Sequence, residues 1–444
     1  MLYKKLCATI ISAVLIISPS NALKIEIKQG AVKPEPIGVI DFKQSKSKQT
    51  SKRAKEIGNI IRKDLELSSL FVIISNNNVK GIDLEKYKNE GARFLLYGQE
   101  TETQIIFTLV DVITEEKLFE NKAIDINNDN TRETAHIIAD YVYERITNEL
   151  GYFNTKIVYV NTVKQFPRTT KLVIMDQDGA NVKDLTNGNE LVLSPRFSSD
   201  GKSIAYIAYD KSKKDALGRS VHVYISKIGN KQRIRLLNNN IMQELIKKNN
   251  GNPVSMTYAP RFSPDCQNIV FAIIINGKSA IYKYKMTDNK LIQLTKHDNI
   301  DTSPCYSPDG KKIVFTSNRA GSEALYIMNS DGSDQHKISQ EGGKYSQPVW
   351  SPRGDLIAFT KQVKNIFYIG VVKPDGGGER LIAKEYLVEA PTWSSNGRYI
   401  VCTYQENASE KSKILFTDLT GRYSRVIKTN GDASSPAWSP TVKK

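Results

Sequence analysis

Ser303-Pro-Cys-Tyr-Ser-Pro-Asp-Gly310 is one of six copies of a short pattern in this 444-residue chain, and the spacing of the copies decides the fold. The others are Ser194-Pro-Arg-Phe-Ser-Ser-Asp-Gly201, Ala259-Pro-Arg-Phe-Ser-Pro-Asp-Cys266, Gln347-Pro-Val-Trp-Ser-Pro-Arg-Gly354, Ala390-Pro-Thr-Trp-Ser-Ser-Asn-Gly397 and Ser435-Pro-Ala-Trp-Ser-Pro440. Their first prolines stand at 195, 260, 304, 348, 391 and 436, giving intervals of 65, 44, 44, 43 and 45 residues. A period of roughly 40–50 residues with several short strands per unit is the spacing of propeller blades.

Each unit carries four strand signals. The x-Pro-x-aromatic-Ser segment is the first. Ser-Pro-Asp-Gly then makes a turn in which proline presets one φ and glycine takes a position requiring φ > 0. A second strand follows, as in Lys312-Ile-Val-Phe-Thr-Ser317, and a third resembles Ala324-Leu-Tyr-Ile-Met-Asn329. Asp178-Gly179, Asp331-Gly332 and Asp375-Gly376 mark tight hairpins before short fourth strands such as Leu291-Ile-Gln-Leu-Thr295. The sixth pattern has four residues after it, whereas 156–160, 171–176 and 182–186 read as strands two to four with no first. The C-terminal strand is therefore expected to complete the blade begun at 156. That closes a six-bladed β-propeller of four-stranded antiparallel blades over 156–444 and leaves no open sheet edge.

The first interval is about 21 residues longer than its neighbours, with insertions around 210–220 and 238–258. In an up-and-down blade both insertions leave on the face where the innermost strands begin, at one mouth of the central channel. Functional loops gather at one end of such scaffolds. The residues just before each proline are expected to ring this mouth: Leu193, Ser194, Tyr258, Ala259, Thr302, Ser303, Ser346, Gln347, Glu389, Ala390, Ser434 and Ser435.

Residues 23–150 read as a small α/β domain. Ile25–Lys28, Ile37–Phe42, Phe71–Ile74, Phe94–Tyr97, Ile105–Val110 and Lys117–Ile126 are strand-like, and Ile57, Ile60, Ile61 and Leu65 fall at helical spacing. Asn130 with Glu133 has the form of a capping box opening a helix to about Leu150. Residues 151–155 are expected to be a linker, and the segment 23–35 to be mobile.

The N-terminus has the layout of an export signal over 1–22: Lys4 and Lys5, an apolar run from Ala8 to Ile17, then Ser20-Asn21-Ala22. The run is too short for a stable spanning helix, although an uncleaved anchor is the competing reading. Cys7 precedes the apolar run, which is the wrong order for a lipid-anchor site. The formal net charge of +16 is mostly lysine spread along the chain. Without a basic stripe, and with an export signal, nucleic-acid binding is not expected. Cys266, Cys305 and Cys402 occupy repeat positions and read as core or turn substitutions, not as a disulfide framework or metal ligands.

Chemistry is not signalled. There is no G-x-S-x-G, no H-E-x-x-H and no Gly-rich nucleotide fingerprint. Gly201-Lys-Ser203 and Gly277-Lys-Ser279 lack the earlier glycine of a P-loop. Asp176-Gln-Asp-Gly179 lacks the later ligands of a calcium loop. His136, His222, His297 and His336 are scattered, with His136 expected in a core or surface role. No enzyme activity, cofactor or metal is expected, and the chain is expected to be a monomer.

With its export signal, the Pro36-Ile-Gly-Val-Ile-Asp-Phe42 strand of its small domain and the six repeats ending in Pro436-Ala-Trp-Ser-Pro440, the chain resembles the TolB family of the Tol–Pal system. The resemblance covers nearly all of the expected mature chain. It implies a Gram-negative periplasmic protein that supports outer-membrane integrity and envelope constriction during division, associated with membranes only through partners. It also implies that the mouth residues above, Tyr258, Ala259 and Thr302 among them, bind the peptidoglycan-associated lipoprotein Pal. By position, Leu23-Lys24-Ile25-Glu26-Ile27-Lys28-Gln29-Gly30-Ala31-Val32-Lys33 would bind the inner-membrane protein TolA, with the two sites coupled. Two other readings stand beside it. An accessory propeller of a serine-peptidase lineage would need a hydrolase domain for which no residues remain. A periplasmic glycan binder would need aromatic platforms, and Tyr258 is the one aromatic residue in the ring.

Overall fold

The six Pro-containing segments are the innermost strands of six blades. In blade order they are Leu191–Phe197, Val254–Phe262, Asp301–Tyr306, Lys344–Trp350, Leu387–Trp393 and Ala433–Trp438, each leading an antiparallel four-stranded sheet. The computed structural model describes residues 33–441 except 48, 75–81, 128, 167, 210–220, 231, 297 and 341. The expected leader, the strand at 25–28, all of the 23–33 segment but Lys33, and the insertion at 210–220 lie outside these residues.

Ring closure takes place as the repeat arithmetic requires. Ala433–Trp438 pairs with Lys156–Gln165, register Ala433↔Asn161 and Trp438↔Ile157, and this sheet continues through Arg168–Asp176 to Lys183–Asp184. The Ser439 amide donates to the Lys156 carbonyl at 2.8 Å, and the Lys156 amide donates to Ser439 Oγ at 2.9 Å. The first and last strands of the propeller thus share one sheet, between residues about 280 positions apart in sequence.

The repeated turn is held by its own side chains. Ser307 Oγ donates to Asp309 Oδ1 (2.6 Å) and accepts from the Lys312 amide (2.9 Å), while Gly310 adopts φ 72°. Gly201, Gly354 and Gly397 sit at similar positive φ, but in the second blade Cys266 is held at φ 57°, where a Cβ is unfavourable.

The N-terminal domain is a mixed sheet covered by helices. Glu35–Val39 lies parallel to both Phe71–Ile74 and Phe94–Glu100, and the sheet continues antiparallel through Gln104–Asp111 and Lys117–Asp125. Helix α1 (Lys52–Leu67) is capped by Ser51 and buries Ile57, Ile60, Ile61 and Leu65. A short helix α2 (Leu84–Asn89), capped by Asp83, was not signalled by apolar periodicity. Helix α3 (Thr131–Thr147) starts at Asn130 but without the expected capping box. Asn130 Oδ1 instead accepts from the Asn127 amide at 2.8 Å, so the preceding loop takes the acceptor the helix would have used. No helix among the described residues is long and apolar enough to cross a membrane.

Tyr152 and Phe153, between the two domains, are fully buried. They join Tyr143 of α3 to Tyr399, Phe416 and Trp438 of blades 5 and 6 in one aromatic cluster with ring centroids 4.5–5.9 Å apart. The hydrophobic core is continuous across the junction.

Candidate functional site

Strand direction separates the propeller into two faces. Every innermost strand starts at the mouth and ends at a serine on the far face, followed in blades 1, 3, 4 and 5 by the Ser-x-x-Gly turn. Second strands run back, so the hairpins between strands two and three, and the links from each blade to the next, all lie at the mouth. The N-terminal domain packs against the far face, where Tyr399 Oη donates to the Ser68 carbonyl and Trp438 Nε1 donates to Thr155 Oγ1, both at 2.7 Å.

The twelve residues expected to ring the mouth are not loop residues at the rim. They lie within the innermost strands, because strand two continues past them; Leu191, for example, still pairs with Tyr209. In all six blades the ladder slips at this point, between Leu193 and Arg196, Tyr258 and Arg261, Thr302 and Cys305, Ser346 and Val349, Glu389 and Thr392, and Ser434 and Ala437. The residue before each proline is left-handed: Ser194, Ala259, Ser303, Gln347, Ala390 and Ser435 have φ of 51–54°. Proline has no N–H to lose, which is why a sheet admits it at a bulge. A non-glycine residue held there costs about 1–2 kcal/mol, repeated around the channel.

The neighbouring blades satisfy the groups that the bulges free. Gln347 Oε1 accepts from the Ala390 amide of the next blade (2.7 Å) and from Thr360 Oγ1 (3.1 Å). Thr403 Oγ1 accepts from the Ser435 amide at 2.9 Å. Tyr258 Oη is hydrogen-bonded to Ser279 Oγ at 2.8 Å, and Ser279 Oγ donates to the Asp301 carbonyl of blade 3. Eleven of the twelve side chains stay half-buried, while Ala390 is only 2% exposed. They form an interlocked channel wall just inside the mouth.

The rim itself is apolar in places. Phe166, at the tip of the hairpin between Lys156–Gln165 and Arg168–Asp176, is 95% exposed, and Val163 stands exposed on the same hairpin. Ile300 before blade 3, Ile366 on the blade 4 hairpin and Tyr386 between blades 4 and 5 are exposed on this face as well. A groove of 560 Å³ opens on the rim between blades 3 and 4, lined by Ser322, Gly342, Gly343, Lys344 and Gln362–Lys364. The insertion around 238–258 folds as helix α4 (Asn239–Lys248), capped by Asn238, with Ile241, Met242 and Leu245 buried against blade 2. The Asn cap and the i, i+4 pair Ile241/Leu245 were its signals in the sequence.

At the far face a second constellation joins the domains, and its residues were not grouped by sequence reasoning. Asp176 and Asp178 of blade 6 receive Arg132 of α3: Nε to Asp176 Oδ2 at 2.7 Å and Nη2 to Asp178 at 2.9 Å. Lys156 also pairs with Asp176, and Lys63 of α1 pairs with Asp178. His136, 2% exposed, lies with Nδ1 2.6 Å from Asp64 Oδ2 of α1 and Nε2 3.7 Å from Asp176. Gln177 Nε2 donates to the other Asp64 oxygen at 3.0 Å.

Burial alone would lower the His136 pKa, but the charges of Asp64 and Asp176 push it up to about 9. Asp176 is pulled below the carboxylate range against its own burial by His136, Lys156 and Arg132. Burial pushes Asp64 up, opposed by the His136 charge. The arrangement is that of an imidazolium held between carboxylates. His136, Asp176 and Asp178 lie close enough together to suggest metal ligands. Their acceptor atoms already face Arg132, Lys156 and Lys63, so the group is an ion-pair network.

The start of the described chain lies beside this junction. The Glu35 amide donates to the Leu70 carbonyl at 2.8 Å, two residues beyond the Ser68 carbonyl that meets Tyr399. Of the segment 23–33, Lys33 alone is described, and it is exposed.

Residues 143–442 match the model of the TolB beta propeller domain, and residues 23–118 match that of the TolB amino-terminal domain. The chain belongs to the TolB family. Relatives carrying the name Tol-Pal system protein TolB occur in Rickettsia peacockii (strain Rustic), 39% identical over 442 residues, and in Rickettsia massiliae (strain Mtu5), 39% identical over 440 residues. Each of these similarities covers 94% of both chains. TolB from Acinetobacter baumannii shares the fold with a TM-score of 0.77 at 23% identity, over 92% of this chain and 97% of that one. For this TolB-family chain the junction cluster was missed because Asp64, His136 and Asp176 are far apart in sequence and carry no motif. The bulges had a signal, a proline inside a strand, that marks either an edge or a bulge.

Proposed function

We propose that this chain is a non-enzymatic binding scaffold of the Tol–Pal system in the periplasm of a Gram-negative bacterium. Its propeller mouth binds the lipoprotein Pal, and its mature N-terminal segment, Leu23–Lys33, binds TolA. Through these contacts it supports outer-membrane integrity and invagination during cell division, as a monomer that meets membranes only through its partners. The observation that carries the reading is the exposed apolar rim around Phe166 on the face left open opposite the N-terminal domain. Exposed aromatic and aliphatic side chains around a pocketed surface are the composition of protein-docking sites. The exit of the N-terminal segment beside the far-face junction supports a second, separate contact. His136, the one deeply buried histidine of the junction, is committed to structural ion pairs, which favours binding over catalysis.

The test is affinity capture from envelope extract with the mature chain and with residues 23–34 deleted. Capture of the peptidoglycan-associated lipoprotein by both, and of TolA by the intact chain only, is expected. Loss of Pal capture on deletion of 23–34, or TolA capture without that segment, overturns the assignment of the two sites.

A further inference from the structure

One step below the bulges, the residue after each proline is Arg196, Arg261, Cys305, Val349, Thr392 or Ala437. Two adjacent blades thus place arginine at equivalent positions of strands that border the channel. Arg196 is 9% exposed, and its one hydrogen bond runs from Nη1 to its neighbour's carbonyl, that of Pro195, at 2.7 Å. Their innermost strands pack against each other, and Arg196 opposite Ala205 and Arg261 opposite Val270 stand at the same place just past the bulge, so the two arginines occupy matching positions of the channel wall.

No carboxylate among the described residues meets either guanidinium. Burial and, for Arg196, the neighbouring Arg261 charge hold both below the ordinary arginine value, with no acid acting on them. Glu389, the one acid among the twelve wall residues, is pushed up by burial alone. Two other partly buried guanidiniums of the propeller do meet carboxylates: Arg319 reaches both oxygens of Asp301 at 3.0–3.1 Å, and Arg233 reaches both of Glu190 at 2.7–3.1 Å. Buried charge without a partner is strongly unfavourable, and the guanidinium fork is shaped for oxyanions.

We infer that Arg196 and Arg261 form an oxyanion-binding site within the propeller channel, reached from the mouth. Its ligand is a phosphate-like or carboxylate group, supplied either as a free anion or as an acidic group of a protein seated on the mouth. The site stands on the channel geometry and does not depend on the identity of the mouth partner.

The test uses the full mature chain and inorganic phosphate, with chloride varied to keep ionic strength constant. Phosphate is expected to raise the melting temperature saturably and to broaden its own ³¹P resonance. The double variant Arg196→Met/Arg261→Met, in which two uncompensated charges become apolar, is expected to melt in chloride at or above the parent temperature. It should bind phosphate at least tenfold more weakly. The single variant Arg261→Met, read by ³¹P broadening, gives the same comparison if the double variant does not fold. No saturable phosphate effect in the parent, or an equal effect in parent and variants, overturns the site. Competition separates the two sources. Phosphate that weakens Pal capture by the parent, and not by the variant, assigns the ligand to an acidic group of the partner. Phosphate binding with Pal capture unchanged assigns it to a free anion. Because phosphate binding is read on the chain alone, its failure leaves the Pal reading standing, and failure of Pal capture leaves the anion site standing.

Discussion

On the far face Asp176 is gripped by Arg132, Lys156 and His136, and Tyr152 and Phe153 are sealed against Tyr399 and Trp438. On the mouth face Phe166 stands in solvent and two channel arginines have no carboxylate partner among the described residues. Both faces are made from the same six repeats, so the difference comes from what covers them. The far face is finished by the chain's own N-terminal domain, which supplies the opposite charges and the aromatic lid. The mouth has strand-level order and interlocked bulges, but apolar side chains such as Phe166 and Val163 stay exposed at its rim.

The largest effect should come from removing the element that serves both faces. Deleting 434–444 takes away the innermost strand of blade 6 together with Trp438 of the junction. The expected result is aggregation or loss of a cooperative melt by circular dichroism; a soluble, cooperatively melting truncation would show that neither ring closure nor the junction needs this strand. Next comes Asp176→Ala, which leaves Arg132, His136 and Lys156 short of their shared anion. Breaking a buried network in this way should cost about 3–5 kcal/mol in urea unfolding, and a loss below about 1 kcal/mol would remove the contrast between the faces.

The far-face network also titrates. In the fold His136 keeps its proton up to about pH 9, against an ordinary value of 6.5. A raised histidine pKa contributes stability that is whole below 6.5 and is lost as pH rises through 9. Unfolding free energy should therefore fall by up to about 3 kcal/mol over pH 6.5–9, and His136→Asn should flatten that slope. Asp176, held low, contributes in the opposite sense, with its share lost only as pH falls below the ordinary carboxylate range.

Phe166→Ala tests the mouth alone. It should change stability by less than about 0.5 kcal/mol, as an exposed substitution does, yet weaken Pal binding roughly tenfold; unchanged binding removes this hairpin from the proposed dock. The smallest change concerns the repeated turn. Cys266→Gly releases a left-handed non-glycine residue and should raise stability by about 0.5–1 kcal/mol, measured by urea unfolding.

Much of the architecture was legible because its determinants are local and repeated. The prolines at 195, 260, 304, 348, 391 and 436, with their turns, specify where each blade begins, and the unmatched strand at each end of the array specifies closure. The mouth was legible as a direction, since alternating strands put every insertion on one face. Its details were not. The proline pattern marks a strand only from Ser194 onward, and the pairing of Leu191 with Tyr209 shows that the strand already runs through Leu193.

By itself, then, the sequence determined blade number, blade order, the closing strand and the family, because each depends on periodicity and short-range turn chemistry. Tertiary structure alone decided that residues 151–155 become a buried seam. It also brought Asp64, His136 and Asp176 together across two domains and left Arg196 and Arg261 at matching places on neighbouring innermost strands, with no ion pair to either among the described residues. Those outcomes depend on which distant side chains share a volume, and burial then sets the energy of each charge. Spacing along a chain carries no record of that.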